Sequence, residues 1–248
     1  MDRLGIAIGD PNTKVEGINI FQIFPHSTKS KEIVWTPADI SRLRECNPGC
    51  KIYAHGVFSI VLGKNYSRHV FKEHLAYIME QDLDGYVLHI SPSEYNVDMA
   101  IKFIKYMMEG VKLNNKIRIY WEHIVSEYYS RYFINFARKL KNANISPQLG
   151  VCIDTCHLYI SGVPLTTDIQ VQNYMQPFID LDIPLLIHLN DSELELGTML
   201  ADRHAEIGTK IWKDNTSGLK KLLSLDIDKI IELKDYKPSL EFIKDLLI

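Results

Sequence analysis

The sequence lacks the features that mark membrane proteins, secreted proteins and low-complexity proteins. Its 248 residues contain no apolar run of about 18 residues, so no membrane-spanning helix is expected. The first residues, MDRLGIAIGDPN, lack the long apolar core of a signal peptide. We therefore expect an intracellular protein that is not secreted: cytoplasmic, nuclear if eukaryotic, or virion-associated if viral. Low-complexity tracts and long charge runs are absent as well.

Cysteine is scarce as well, and negatively charged residues slightly outnumber positively charged ones. Four cysteines in a chain of this length do not form a disulfide framework. Cys46 and Cys50 flank a turn sequence, NPG, which leaves two alternatives: a short-loop disulfide or, as the favoured one, reduced thiols. The formal net charge of −3 argues, taken alone, against a non-specific nucleic-acid binder, which is usually basic. That argument weakens if some of the acidic side chains hold metal ions.

Eight short runs rich in Ile, Val, Leu and Tyr recur along the chain and predict buried parallel strands, which tend to be continuously apolar. The runs are LGIAI (4–8), INIFQIF (18–24), CKIYAH (50–55), GYVLHI (85–90), KIRIYWE (116–122), LGVCID (149–154), PLLIHL (184–189) and DKIIEL (228–233). Amphipathic helical stretches separate most of them, the first with Thr36 as N-cap and Pro37 at the first helical position. This alternation predicts an α/β protein with a (β/α)8 TIM barrel in one domain, residues 1–248. A doubly wound open sheet is the structural alternative.

The interval between the first two runs departs from this alternation. It contains only GDPNTKVEG (9–17), which is too short for a packed helix. We therefore expect a barrel that lacks its first outer helix.

Six consecutive predicted strands end in a residue that can bind a metal ion. These residues are His55, His89, Glu122, Asp154, His188 and Glu232. A single histidine at a strand end is more often a hydrogen-bonded rim residue, but in a barrel all six ends converge on the C-terminal face, where active sites lie. Buried together, such carboxylates and imidazoles need a compensating charge, which metal cations supply.

Two loops add further candidate ligands. His157 follows the sixth strand, and Asp202 and His204 lie two residues apart in LADRHAEIG, so both can face one ion in an extended segment. The set then contains five histidines and four carboxylates, which suits two or three ions. Nitrogen and oxygen ligands without thiolate favour Zn²⁺, with Mn²⁺ as an alternative at one site, over Ca²⁺ or Mg²⁺.

Three segments of the chain resemble the signature segments of one family. LGVCIDTCHLYISG, IHLND and DRHAEIG, in this order and spacing, are similar to those of endonuclease IV, the metal-dependent apurinic/apyrimidinic endonucleases. The resemblance extends from about Tyr53 to Leu233. It implies a (β/α)8 barrel with three zinc ions, and a monomer that cleaves double-stranded DNA 5′ to an abasic site, leaving a 3′-hydroxyl and a 5′-deoxyribose phosphate.

The resemblance also implies a role for each candidate ligand. The first zinc takes His55, His89 and Glu122; the second takes Glu122, Asp154, His188 and Glu232; the third takes His157, Asp202 and His204. The carboxylates assigned to catalysis are Glu122, Asp154 and Glu232. A hydroxide held between the first two ions attacks the phosphorus, and the third ion stabilises charge on the leaving 3′-oxygen. Three Zn²⁺ would change the formal charge from −3 to +3 and so attract phosphate.

The predicted DNA contacts depart from the family pattern. Lys29 and Lys31 in HSTKSK (26–31) replace an Asn/Arg-rich loop, and Phe58 stands where the family has a tyrosine. Phe58 can still wedge into a base step. The lysine loop is a candidate for phosphate contacts, with a solvated polar loop as an equal alternative.

Other functions and roles stay open at this level. A metal-dependent sugar isomerase or epimerase of the same architecture is the main alternative, but its one or two ions do not need the pair Asp202 and His204. A non-enzymatic DNA-binding barrel is a third hypothesis. Cys152 and Cys156 are interpreted as packing residues, and Asn190 either orients ligands or forms the turn after the seventh strand.

Overall fold

The eight predicted strands close into one parallel barrel. The computed structural model describes residues 2–27, 32–56, 65–90, 96–199 and 202–248. The barrel strands are β1 (Leu4–Ala7), β2 (Ile20–Ile23), β3 (Lys51–His55), β4 (Gly85–Ile90), β5 (Arg118–His123), β6 (Leu149–Asp154), β7 (Leu185–His188) and β10 (Asp228–Ile231). Each pairs with its neighbour in chain order, and β1 pairs with β10, which closes the ring. This closure confirms the (β/α)8 barrel and rules out the open doubly wound sheet.

Helices follow the barrel strands, and a short ribbon is added near the barrel mouth. The helices are α1 (Pro37–Cys46), α2 (Asn65–Glu80), α3 (Val97–Met108), α4 (Glu127–Asn142), α5 (Thr155–Ile160), α6 (Asp168–Asp180), α7 (Ser217–Ser224) and α8 (Lys237–Leu247). The ribbon pairs β8 (Asp191–Ser192) with β9 (His204–Ala205) in antiparallel fashion. Within the described part of the chain, no helix combines the length and the apolar character needed to cross a bilayer.

The start of α1 follows directly from its sequence. The Thr36 hydroxyl accepts a hydrogen bond from the Asp39 N–H, and the Asp39 carboxylate accepts one from the Thr36 N–H. This reciprocal capping box satisfies two backbone donors that the first helical turn would otherwise leave unpaired. Pro37 stands at the first helical position, where its missing N–H costs nothing.

The first crossover has no helix, as predicted. Residues 8–19, all of which the structure describes, form turns and extended chain between β1 and β2. Since β1 and β2 are adjacent parallel strands, this segment returns the chain along the barrel wall with too few residues to form and pack a helix. This crossover therefore adds no helix to the outer wall of the barrel.

The barrel interior is filled by a layer of side chains below the mouth. Its members are Ile20, Tyr53, Val87, Tyr120, Cys152, Leu186 and Ile230, one from each of seven strands. Below them, the Asp228 carboxylate accepts hydrogen bonds from the Tyr53 hydroxyl and the Lys51 ammonium at 2.6 Å each, and from the Arg3 guanidinium at 2.8 Å. The barrel is thus a packed core, with polar side chains above and below this layer.

We predict that Gly150→Ala destabilises the fold, because a Cβ at this position of β6 would lie 2.1 Å from the Pro184 carbonyl oxygen. That oxygen also accepts the Val151 N–H at 3.0 Å, so the β6–β7 pairing must open to make room. The expected loss is about 1–3 kcal/mol of unfolding free energy, measured by denaturant titration. Gly9→Ala is the matched control, since its Cβ would meet no atom within 4 Å. Equal losses in the two variants would contradict this account of the strand contact.

Candidate metal centre

A ring of polar side chains lies directly above the interior layer. Because side chains alternate along a strand, the residue two positions after each interior residue points to the same axis, one level higher. On six strands that residue is a predicted ligand: His55, His89, Glu122, Asp154, His188 and Glu232. The structure therefore brings together the six strand-end residues that the sequence places up to 177 positions apart.

Glu122 is at the centre of this ring. It is fully buried, and its Oε2 lies 3.1 Å from the Nε2 atoms of both His55 and His89. Its other oxygen, Oε1, lies 3.0 Å from Nδ1 of His188. The two oxygens of one carboxylate thus face two different sets of imidazoles, which is the arrangement a bridging ligand requires.

A second group of donors surrounds the Oε1 side of Glu122. It contains Glu122, Asp154, His188 and Glu232, whose ligating atoms all lie within 4.8 Å of one another. His188 Nδ1 is 3.0 Å from Glu232 Oε2. Three carboxylates and one imidazole at this spacing can surround one divalent ion.

The loop residues form a third group beside the second. His157, Asp202 and His204 have ligating atoms within 4.8 Å of one another. Asp202 lies between the histidines, with Oδ2 at 3.3 Å from His157 Nε2 and Oδ1 at 3.1 Å from His204 Nε2. Asp154 links this group to the second one, because its Oδ2 is 3.4 Å from His204 Nε2. All nine predicted ligands are therefore gathered at the barrel mouth.

Asp154 and His157 are positioned by a short helix that the sequence patterns do not predict. Asp154 is the N-cap of α5, and its Oδ1 accepts the His157 N–H at 2.7 Å. The cap occupies one carboxylate oxygen and fixes its orientation, so that Oδ2 faces the ring. The same turn places His157 above β6, where it reaches Asp202.

The ribbon of β8 and β9 positions His204. Its register pairs Asp191 with Ala205 and Ser192 with His204, so the segments IHLND and DRHAEIG are joined in space. The buried Asp191 carboxylate accepts backbone N–H bonds from four residues: Ser192, Gly208, Lys210 and Ile211. Asp191 is therefore an anchor for the loop after the ribbon.

Carbonyl oxygens fix the orientation of three of the imidazoles. His55 Nδ1 lies 3.0 Å from the Gly56 carbonyl, His157 Nδ1 lies 2.9 Å from the His123 carbonyl, and His188 Nε2 lies 3.0 Å from the Gln22 side-chain carbonyl. A carbonyl only accepts, so in each case that ring nitrogen carries the proton. The other nitrogen faces the carboxylates, which is how metal-binding histidines are commonly held.

Comparison with known proteins places this site in a family. Residues 52–246 match the family described as xylose isomerase-like TIM barrel. The chain belongs to this family. The match covers β3 to α8 and so includes every residue of the three donor groups.

Within the xylose isomerase-like TIM barrel family, the similar proteins carry endonuclease names. A probable endonuclease 4 of Clostridium botulinum (strain Alaska E43 / Type E3) is 27% identical over 252 residues, covering 92% of this chain and 90% of the relative. One of Methanosphaera stadtmanae is 26% identical over 269 residues, covering 98% and 97%. The crystal structure of endonuclease IV from Thermus thermophilus has the same fold, with a TM-score of 0.75 and 20% identity over 99% of this chain and 98% of that one. The resemblance to endonuclease IV is confirmed.

Two amide side chains also belong to the site. Asn190 Nδ2 donates to Asp154 Oδ2 at 2.7 Å and to Glu232 Oε2 at 3.2 Å, while its carbonyl accepts the Glu232 N–H at 2.9 Å. Asn190, which lies after β7, thus orients two of the predicted ligands, Asp154 and Glu232. Gln22 was missed by the sequence patterns, although a glutamine inside the apolar run of β2, two residues after the interior residue Ile20, was a usable signal.

The predicted DNA contacts Lys29, Lys31 and Phe58 lie outside the described residues.

The two cysteines interpreted above as packing residues, Cys152 and Cys156, lie close to the site. Cys152 belongs to the interior layer, and burial raises its pKa to about 12. Cys156 Sγ lies 3.6 Å from Asp202 Oδ1, and burial raises the pKa of this thiol as well. All four cysteines of the chain are free thiols, in agreement with the reduced alternative for the pair beside NPG.

The charges of the site are strongly coupled. Burial opposes ionisation of Glu122, but the positive charges of His188 and His89 outweigh it and hold its pKa well below the usual value. Burial also opposes a charge on His157, but the Asp154 carboxylate and the hydrogen bond to Asp202 raise its pKa to about 10. For His204, burial is outweighed by the charge and hydrogen bond of Asp154, and the pKa rises to about 9. At neutral pH, protons on His157, His188 and His204 therefore balance part of the negative charge of the buried carboxylates.

Divalent metal ions fit this donor set better than protons do. Nine nitrogen and oxygen donors, most of them buried, converge in overlapping groups with little access to water. Buried carboxylates at this spacing need positive charge among them, and a divalent ion delivers more of it at one point than a protonated imidazole. Imidazole and carboxylate donors are those of zinc and related transition metals.

We predict that zinc binding to the metal-free protein at pH 7 releases protons, because a metal must displace the protons held by His157 and His204. Calorimetric titration in two buffers with different ionisation enthalpies measures the number released. The apparent affinity should rise as the pH increases from 7 to about 10, where these histidines become neutral without metal. Identical binding enthalpies in both buffers would contradict the assigned charge state.

Proposed function

We propose that this chain is a zinc-dependent endonuclease that hydrolyses the DNA phosphodiester 5′ to an abasic site, leaving a 3′-hydroxyl and a 5′-deoxyribose phosphate. The observation that supports it most is the third donor group, His157, Asp202 and His204, beside a two-site cluster bridged by Glu122. Similarity to proteins named probable endonuclease 4 over nine-tenths of the chain supports the same reaction class. The single barrel, residues 1–248, is proposed to act as a monomer.

Each proposed ion has its own set of residues. The first would be held by His55, His89 and Glu122, the second by Glu122, Asp154, His188 and Glu232, and the third by His157, Asp202 and His204. When bound, zinc would lower the pKa of a coordinated water to about 7, which would supply a nucleophile near neutral pH, and it would neutralise phosphate charge.

The chain's own residues determine how these sites are spaced. Glu122 offers one oxygen to the first group and the other to the second, so a single buried side chain sets their separation. Asp154, a member of the second group, contacts His204 of the third group and is oriented by a hydrogen bond from Asn190. Ions held by these neighbouring groups would neutralise charge on the attacking and leaving oxygens of one phosphodiester.

DNA would be attracted mainly by the site itself. Three Zn²⁺ change the formal charge from −3 to +3, which favours approach of a polyanion despite the slight acidic excess of the sequence. Lys29 and Lys31 are proposed to contact phosphates, and Phe58 to wedge into the base step at the lesion. These three contacts rest on the sequence alone.

A metal-dependent sugar isomerase or epimerase is the second candidate. Membership in a family described as xylose isomerase-like supports it, and the second donor group could by itself hold an ion for such chemistry. That reaction makes no use of the third group, which is why the nuclease is preferred. Zinc content by elemental analysis and a duplex with one synthetic abasic site separate the two. Fewer than two zinc ions per chain, together with an uncleaved abasic strand, would contradict the nuclease proposal.

We predict that Glu122→Ala abolishes cleavage of the abasic duplex with much less effect on folding. Loss of the shared carboxylate removes several kcal/mol of metal-derived transition-state stabilisation, roughly a 10³-fold lower rate. The measurement is single-turnover cleavage beside a thermal unfolding curve. Glu241→Ala, at an exposed position of α8, is the control and should cut like the parent protein. A Glu122→Ala rate within a few-fold of the parent would show that the bridging assignment is wrong.

We predict that Cys152→Ala retains cleavage, because this side chain fills the layer beneath the ring and its thiol stays protonated at neutral pH. The expected cost is a modest loss of stability from the small cavity, about 1 kcal/mol, with the cleavage rate within a few-fold of the parent. Cys156→Ala should also cut, since its sulfur donates to Asp202 without being needed as a ligand. Loss of bound zinc in either variant would instead identify a thiolate ligand.

A further inference from the structure

Gln22 is the member that β2 contributes to the polar ring. It is fully buried and follows the interior residue Ile20 by two positions, as each strand-end ligand follows its own interior residue. Its amide nitrogen donates to Glu232 Oε1, and its carbonyl lies 3.0 Å from His188 Nε2. Gln22 thus contacts two proposed ligands of the second ion without being a ligand of the usual kinds itself.

The chemistry of its two neighbours fixes the orientation of this amide. An ionised carboxylate only accepts hydrogen bonds, so the NH₂ end of Gln22 must face Glu232. The carbonyl end must then face His188, and because a carbonyl also only accepts, Nε2 of His188 must carry a proton. Once the second ring proton of this imidazole is lost, its lone pair is left on Nδ1, which lies 3.0 Å from both Glu122 and Glu232.

The same amide helps to hold Glu232. Gln22 donates to Oε1 of this carboxylate, while Asn190 donates to Oε2 at 3.2 Å. Two neutral amides, one from β2 and one following β7, therefore each donate to a different oxygen of the carboxylate. A neutral donor is suited to this place because it orients the anion without competing with the metal for it, as a positive charge would.

We propose that Gln22 is a positioning residue of the second metal site: it keeps His188 in the tautomer that presents Nδ1 to the metal and aligns Glu232 toward the same point. The catalytic consequence rests on the proposed nuclease function, whereas the effect on metal binding does not. Partners that orient metal ligands in this way commonly contribute 10–100-fold to metal affinity or activity.

The test compares Gln22→Met, which keeps the length of the side chain but neither hydrogen bond, with the parent protein. Zinc affinity is measured by competition with a chromophoric chelator, zinc content by elemental analysis, and the His188 tautomer by ¹⁵N NMR of the imidazole nitrogens in the zinc-loaded protein. We expect one of the bound ions to be held 10–100-fold less tightly, and the Nε2-protonated signal of His188, which assigns the effect to the second site, to be lost or to exchange rapidly. Gln176→Met, exposed on α6, is the matched control and should change neither reading.

A second variant covers the case in which the methionine protein does not fold. Gln22→Leu also removes both hydrogen bonds with an apolar side chain, and it should lower zinc affinity at neutral pH at least tenfold. Zinc affinity within twofold of the parent, with an unchanged His188 signal, in whichever of the two variants folds would overturn the proposal.

The outcomes for Gln22 and for the proposed function can be told apart. If the parent protein binds zinc through His188 Nδ1 but leaves an abasic duplex intact, the nuclease proposal fails and the positioning role stands. If the parent cuts the duplex and Gln22→Met binds zinc and cuts equally well, the function stands and the positioning role fails.

Discussion

The burial of Glu122 at the mouth of the barrel is the constraint on which the rest of the site depends. A carboxylate removed from water is costly unless positive charge or strong donors surround it. Three imidazoles from three other strands lie about its two oxygens, each within 3.1 Å. The other donors described at the mouth supply charge to this cluster or orient its members, and the proposed divalent ions would replace the protons that histidines otherwise hold.

Side chains inside the barrel form separate layers along its axis, and this layering keeps the concentrated charge of the site apart from the packed core. Ion pairs around Asp228 lie at the N-terminal end, a packed layer of mostly apolar side chains follows, and the polar ring lies above it. Strand alternation repeats the same step of two residues on seven strands, so the apolar layer excludes water from beneath the ring. The electrostatic interactions above it are stronger for that reason.

Local hydrogen bonds fix the direction in which the donor side chains at the mouth point. Asp154 uses one oxygen to cap α5 and the other to face the ring, and Asp191 holds the loop that follows the β8–β9 ribbon through backbone N–H groups. Amide side chains from β2 and from the residue after β7 flank Glu232. These contacts explain why segments that look like separate motifs in the chain act as one site.

The sequence by itself determined the features that depend on neighbours along the chain: eight apolar runs, the capping box at Thr36, the absence of a helix in the first crossover, and the strand-end series of ligands. It also carried the family resemblance. Only the tertiary structure decided which donors lie next to one another, which nitrogen of His55, His157 and His188 faces the carboxylates, and the contact of Gln22 with His188, which is 166 positions away. The physical reason is that tautomers and carboxylate orientations are set by hydrogen bonds across strands, and these do not exist until the barrel closes.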